Sequence, residues 1–249
     1  MNDDILVWDL EVTPNVGLFW SAGYKITIPP HCIVKERQIC CIGYRWLHQK
    51  RTYCINWEGE TDAYAIDKFI PILESARYSV AHNGKGFDER WLRGRAMKHR
   101  IPMSPDIQMY DTLQKFKKFT YLNSNKLDYI GQFLELGQKI QTSYDLWANI
   151  ALYDHQPSLL TMGRYCKQDV NLLADVFEYS RSYFPAADSV SPSILHCPYC
   201  GKGTLAEHKR RLTVQRGARV QLQCTAPKCA QYHTVAAGKW DKARVAHAA

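Results

Sequence analysis

The chain has 249 residues, 46% hydrophobic and 22% charged, with 15 Tyr, 8 Phe and 7 Trp, which excludes a disordered polymer and leaves material for a full α/β core. No apolar run approaches the ~20 residues that cross a bilayer, and the acidic opening Met1-Asn2-Asp3-Asp4 lacks the basic start of a secretory signal. A cytoplasmic protein with no membrane contact is therefore expected, its nine Cys acting as thiols or metal ligands rather than disulfides.

In chain order, Ile5 to Glu11 is an apolar run that ends in carboxylates, read as a buried strand with a functional end. Strands are expected over Phe19–Ile28, Gln38–Leu47 and Thr52–Trp57. Thr61-Asp62 can cap a helix with Ala65, Ile66, Phe69 and Ile72 on one face, disturbed at its far end by Pro71. Tyr78–Asn83 reads as a buried strand, followed by a turn at Gly84 and Gly86 and a basic helix from about Phe87 to Lys98. A strand near Ile107–Tyr110 and helical segments near 126–136, 143–153 and 158–180 follow. Strands first and alternating β/α later predict a mixed sheet with helices on both faces. Pro185 to Pro192, rich in Ser and Ala, reads as a linker. The expected organisation is a domain over 1–184, a linker over 185–192 and a second domain over 193–249.

Three elements carry candidate chemistry. Asp9 and Glu11, two apart on a strand, project from one face, where paired carboxylates repel unless a cation lies between them. Asp88 stands where the strand-to-helix turn Asn83-Gly84-Lys85-Gly86-Phe87 opens a helix; an acid there also suits the helix dipole. Tyr165 and Asp169, four apart in a helical stretch, share a face. Asp111 reads as a helix cap. Lys115-Phe116-Lys117-Lys118-Phe119-Thr120-Tyr121 interleaves cations for phosphates with aromatics for unpaired bases, or is an exposed loop with a partly buried aromatic pair.

In this order, Asp9-x-Glu11, Asn83-x-x-x-Phe87-Asp88 and Tyr165-x-x-x-Asp169 resemble the DEDDy exonucleases, above all the proofreading domains of family B DNA polymerases and their free-standing relatives. Asn125-Lys126-Leu127-Asp128-Tyr129-Ile130 and Asp145-Leu146-Trp147 are similar too, so the likeness runs over roughly residues 4–184. It implies a ribonuclease H-like α/β fold, a mixed sheet flanked by helices. The implied activity is a 3′→5′ exonuclease acting on single-stranded or frayed 3′ ends, with DNA favoured over RNA and a separate polymerase or replication protein as a candidate partner. Phosphodiester hydrolysis then uses two Mg²⁺ or Mn²⁺ about 4 Å apart. By resemblance Asp9, Glu11 and Asp169 hold the ion that carries the water, Asp9 bridges to the second ion and Asp88 supports it. Tyr165 orients the water. Asn83 contacts the terminal nucleotide or bonds its own turn, and Phe87, Lys115, Lys117 and Lys118 are further substrate candidates. The competing readings are a structure-specific or RNA-directed nuclease and a catalytically silent nucleic-acid-binding adaptor.

Charge separates the last part of the chain. The net charge is +8, and residues 193–249 carry all of it, with ten Lys and Arg against Glu207 and Asp241, while residues 1–192 hold 22 of each sign. Such a step points to a polyanionic partner. Cys197-Pro198-Tyr199-Cys200 and, 23 residues after it, Cys224 to Cys229 flank two expected strands, Thr204–Val214 and Arg219–Cys224. Paired cysteines at hairpin tips predict a zinc ribbon in which Cys197, Cys200, Cys224 and Cys229 close a structural Zn²⁺ site. Cys32, Cys40, Cys41, Cys54 and Cys166 show no such spacing and read as buried apolar thiols.

Overall fold

The structure is a computed structural model that describes residues 5–21, 23, 27–59, 61–140, 143–184, 195, 197, 204–213, 217–227 and 229–248. The chain divides into two compact units, Asn2–Tyr179 and Ser180–Ala249.

The first unit is built on a five-stranded mixed sheet. Its strands are β1 (Ile5–Val12), β4 (Ile39–Trp46), β5 (Tyr53–Asn56), β6 (Tyr78–Ala81) and β7 (Met109–Asp111), in the spatial order β5-β4-β1-β6-β7. β4 pairs antiparallel with both β1 and β5, while β1, β6 and β7 run parallel. Parallel strands need crossovers, supplied by helices α1 (Ala63–Ser75) and α2 (Asp88–His99). The period of two along β1 sorts its side chains. Leu6, Trp8 and Leu10 enter one core with Ile66, Phe69 and Leu73 of α1 and Leu92 of α2. The other face of the sheet is covered by the 25-residue helix α6 (Gln156–Ser180), whose Cys166 and Val170 would meet any Cβ added to Gly43 of β4 at 2.8 and 3.1 Å.

Most expected elements are present within a residue or two. Three depart from expectation. The described residues of Phe19–Ile28 lie in no strand. Antiparallel pairing instead joins β2 (Val16–Gly17) to β3 (Ile33–Lys35), and Phe19 and Trp20 are exposed rather than buried under a sheet or helix. Asp62 begins α1 without capping it by its side chain. Buried, it receives both Arg95 nitrogens at 2.6 and 2.7 Å, the Ile39 N–H at 2.9 Å and a bond with His99 at 2.6 Å, locking α1 to α2 and β4. Lys115–Phe119 is no loop: it belongs to helix α3 (Thr112–Phe119), whose first turn is capped by Asp111 accepting from the Gln114 N–H at 3.2 Å. The cap is the role expected of Asp111. α4 (Leu127–Phe133) and α5 (Tyr144–Tyr153) complete the unit.

In the second unit β8 (Leu205–Thr213), β9 (Gly217–Cys224) and β10 (Tyr232–Ala236) form an antiparallel sheet, with α7 (Ala237–Ala248) following it. β10 and α7 were not expected. Trp240 of α7 joins Leu205, Val220 and Leu222 in a small core, and Arg210 of β8 clamps Asp241 and Glu207, both at 2.5 Å. The proposed linker 185–192 lies outside the described residues.

Candidate active site

The carboxyl ends of β1, β6 and β7 open onto one edge of the sheet, where open α/β sheets bind ligands. Asp9 and Glu11 stand there on the α6 side of β1. Asp169 approaches from α6, one oxygen from each of the three lying within 4.8 Å of the others. Asp88, at the start of α2, is buried and accepts the Leu10 N–H at 3.2 Å. The turn that delivers it is tight. A Cβ on Gly84 would strike Ala81 Cβ and Met109 Sδ at 2.5 Å, and Asn83 has a positive φ of 68°, which Asn tolerates better than most residues. Asp111 fixes this turn by accepting the N–H groups of Asn83 and Lys85, both at 3.1 Å.

Electrostatics shows what the cluster lacks. At an effective dielectric of about 20, two carboxylates 4.8 Å apart repel by roughly 3 kcal/mol, and Asp9, Glu11 and Asp169 make three such pairs. Burial raises the pKa of Asp9 well above the usual range, with Asp88 and Asp169 adding to it. Burial, then Asp9, raises Glu11 likewise. Asp88 is pushed up to about 7 by burial, against the Leu10 N–H. Asp169 is also raised by burial, tempered by Lys139. Its Oδ1 is buried with no hydrogen-bond partner among the described residues. An orphaned carboxylate oxygen among hard oxygen donors fits a divalent ion of the Mg²⁺ or Mn²⁺ kind. Asp9, Glu11 and Asp169 would hold one such ion, with Asp88 able to serve a second.

Lys139 was not singled out from sequence. Its ammonium donates to Asp169 Oδ2 at 2.5 Å and lies 5.5 Å from the centre of the Tyr165 ring. Burial disfavours that charge, but Asp169 and Asp9 outweigh it and raise the Lys139 pKa. The segment is held in place: the Lys139 N–H donates to Asp128 Oδ1 at 2.7 Å, and Gln168 of α6 donates to the Gln138 carbonyl at 3.0 Å. The preceding Gly137 has φ +125°, a backbone that favours glycine. No local spacing announces such a lysine. The Tyr165 phenol is raised by burial and by Asp169, which suits it to donating a hydrogen bond rather than to taking a proton.

Beside the acids lies a cleft of about 610 Å³, lined by Asn83, Lys117, Asn125, Lys126 and Lys139 among others. His82 ties its wall together, with Nε2 bonded to the Asn125 carbonyl at 2.9 Å and Nδ1 to the Thr112 hydroxyl at 2.8 Å. Burial drives its pKa down to about 4, so the ring is a neutral brace. Asn83 lines the cleft, and its backbone carbonyl closes the turn by accepting the Gly86 and Phe87 N–H groups at 2.9 and 2.8 Å. Of the three candidate lysines Lys117 lines the cleft, whereas Lys115 lies over the Tyr110 ring and Lys118 over Phe119. Phe87 is exposed, its ring 6.3 Å from Trp91.

In the second unit the sulfurs of Cys197, Cys224 and Cys229 lie within 4.8 Å of one another, Cys197 and Cys229 at 3.7 Å. The Ala226 N–H donates to Cys224 Sγ at 3.4 Å. Three converging thiols in a core this small fit a soft ion. Cys200, the expected fourth ligand, lies outside the described residues.

The family model RNase_H_2, of the RNase_H superfamily, matches residues 34–182. The chain belongs to the RNase H superfamily. The match spans Asp88, Tyr165 and Asp169 and begins after Asp9 and Glu11. Among solved structures, the fold is similar to that of the family B DNA polymerase from the hyperthermophilic archaeon Pyrobaculum calidifontis, with a TM-score of 0.55 and 17% identity over 71% of this chain. The similar region is 24% of that polymerase, so the chain spans about a quarter of its length. No curated protein matches the sequence. Among the described residues no helix is long and apolar enough to cross a membrane.

Proposed function

We propose that this chain is a divalent-metal-dependent exonuclease that removes nucleotides from single-stranded or frayed 3′ ends, of DNA in preference to RNA. One observation carries the reading: Asp9, Glu11 and Asp169, from a strand and a helix far apart in sequence, bring their oxygens within 4.8 Å, with Asp88 buried beside them. A fold has no packing reason to gather four acids at the cost of their own desolvation. Membership of the RNase H superfamily and the DEDDy motif order support the same conclusion.

In this reading the acids hold divalent ions, which when bound supply an activated water and stabilise the leaving oxygen. Tyr165 orients the attacking water. Lys139 offers its ammonium to a phosphate oxygen, and Asn83, Lys117 and Lys126 receive the terminal nucleotides in the cleft. The Cys197, Cys200, Cys224 and Cys229 set holds Zn²⁺ in a basic ribbon that grips nucleic acid. The test is degradation of matched end-labelled single-stranded DNA, RNA, frayed duplex and circular DNA with Mg²⁺. Stepwise loss from the 3′ end of linear DNA, with circles intact, is expected. Cleavage of circles would establish an endonuclease, and tight binding with no cleavage in Mg²⁺ or Mn²⁺ an adaptor.

A further inference from the structure

Behind the carboxylates, on the same face of the sheet, three thiols from three elements meet. Cys41 of β4, Cys54 of β5 and Cys166 of α6 bring their sulfurs within 4.8 Å of one another, a convergence that their spacing in sequence does not announce. The register explains two of them. Gly43 stands opposite Cys54 and Cys41 opposite Asn56, so all four share the face that α6 covers. Glycines make the room for sulfur. A Cβ on Gly43 would lie 2.8 Å from Cys166 Sγ, and one on Gly163, a turn earlier in α6, 3.4 Å from Cys54 Sγ and 3.1 Å from Asn56 Oδ1. Cys41 and Cys166 are fully buried while Cys54 is only partly so, which makes it the member of the group that solvent reaches. The walls are apolar, with Trp57, Ile150 and Met162 packed around it. The polar neighbour is Asn56, whose Oδ1 accepts from Cys54 Sγ at 3.4 Å.

We propose that Cys41, Cys54 and Cys166 form a separate metal site for a soft, thiophilic cation of the zinc or copper(I) kind. Metal–sulfur bonds of about 2.3 Å set three sulfurs about 4 Å apart around one ion, so the existing cluster closes on an ion with shifts of less than 1 Å or so. Asn56 Oδ1 is the nearest further donor. Thiolates select soft ions, whereas carboxylates select Mg²⁺ or Mn²⁺, so two neighbouring sites sort their ions by chemistry. On binding, the thiol protons leave to solvent.

The position gives the site a reach. Cys166 follows Tyr165 directly, and its Sγ donates to the Asp9 carbonyl at 3.6 Å. An ion that binds Cys166 displaces its proton to solvent and so removes that contact, and occupancy is felt at Asp9 and Tyr165.

The test uses the full chain, reduced and stripped of metal, titrated with Cd²⁺ in excess Mg²⁺. Thiolate-to-cadmium charge-transfer absorbance and native mass spectrometry count the bound ions, and alkylation of Cys54 is followed by peptide mapping. The wild type is expected to bind one equivalent of Cd²⁺ more than Cys54→Ser, and Cd²⁺ is expected to block alkylation of Cys54. A variant carrying Cys224→Ser and Cys229→Ser should keep that equivalent. Equal binding by the wild type and Cys54→Ser overturns the proposal. So does unchanged alkylation of wild-type Cys54 at full Cd²⁺ loading, a readout that needs no variant. A disulfide within the trio in place of an ion overturns it as well.

Discussion

The Lys139 ammonium sits 2.5 Å from Asp169 Oδ2 and 5.5 Å from the centre of the Tyr165 ring, so a side chain from outside α6 engages both residues at once. Lys139→Met leaves four acids without this charge. Half-activation should then shift to lower Mg²⁺, because the cluster is more negative. The value of kcat/KM should fall by about 10- to 100-fold, the worth of one charge-assisted hydrogen bond of roughly 1.5–3 kcal/mol. A Mg²⁺ activation curve and kcat/KM that both match the wild type would make Lys139 purely structural.

The raised carboxylates make ion-free stability depend on pH. Unfolded, these acids ionise near 4, whereas in the fold Asp88 holds its proton up to about 7 and Asp9, Glu11 and Asp169 are raised as well. Between about 4 and 7 these four acids therefore bind more protons in the fold than unfolded, by more than the single proton that neutral His82 forgoes, and stability falls as pH rises through that window. In EDTA, Tm should drop from about pH 5 to about pH 8, and Mg²⁺ should flatten the drop by favouring the ionised forms. Asp88→Asn should raise Tm in EDTA near neutral pH, by about 2–4 °C for each kcal/mol recovered. Thermal scans that show no pH dependence in EDTA would contradict the electrostatic account.

Asp9→Ala and Asp169→Ala should each abolish cleavage, with circular dichroism unchanged, because each removes an acid of the proposed ligand set, whose oxygens lie within 4.8 Å of one another. Tyr165→Phe is a gentler change. A phenol that orients water contributes about 10²- to 10⁴-fold, so partial activity should survive. Wild-type rates for Tyr165→Phe in single turnover would mean that the ring only packs.

The acids were legible because their positions follow local rules: a period of two for Asp9 and Glu11, a period near four for Tyr165 and Asp169, and a turn that must open a helix for Asp88. Lys139 was not, because what makes it matter is its approach to Asp169 across 30 residues, and nothing beside it in sequence records that. The thiol trio was missed for a similar reason. Cys41, Cys54 and Cys166 converge through cross-strand register and helix docking, which spacing rules for metal motifs do not encode. α3 was hidden by composition, since Lys115 to Tyr121 alternates charge and aromatics as a nucleic-acid-binding loop does, and the burial of Phe116 that fixes the helix is a tertiary fact. Phe19 and Trp20 misled in the other direction, because an apolar run was read as a strand and stands exposed.

Residues 193–249 should supply most of the nucleic-acid affinity and little of the chemistry. Those residues carry the whole net charge of +8. Both of their acids, Glu207 and Asp241, are engaged by Arg210, while Lys209, Arg211 and Lys242 are exposed. Each phosphate neutralised on a single strand releases counterions, lowering log K by about 0.7 per contact for each decade of salt. Deleting residues 193–249 should therefore weaken binding and flatten its salt dependence. Turnover at saturating substrate should persist, because Asp9, Glu11, Asp88 and Asp169 remain. Replacing Cys224 and Cys229 with Ser should reproduce the deletion, since a core as small as that of Leu205, Val220, Leu222 and Trp240 would need the proposed Zn²⁺ to stay folded. Binding isotherms on single-stranded DNA over a range of salt decide the matter. An unchanged salt slope in the truncated protein would place the phosphate contacts on Lys117, Lys126 and Lys139 of the cleft, and would leave the cysteine-bearing unit as a protein-docking module.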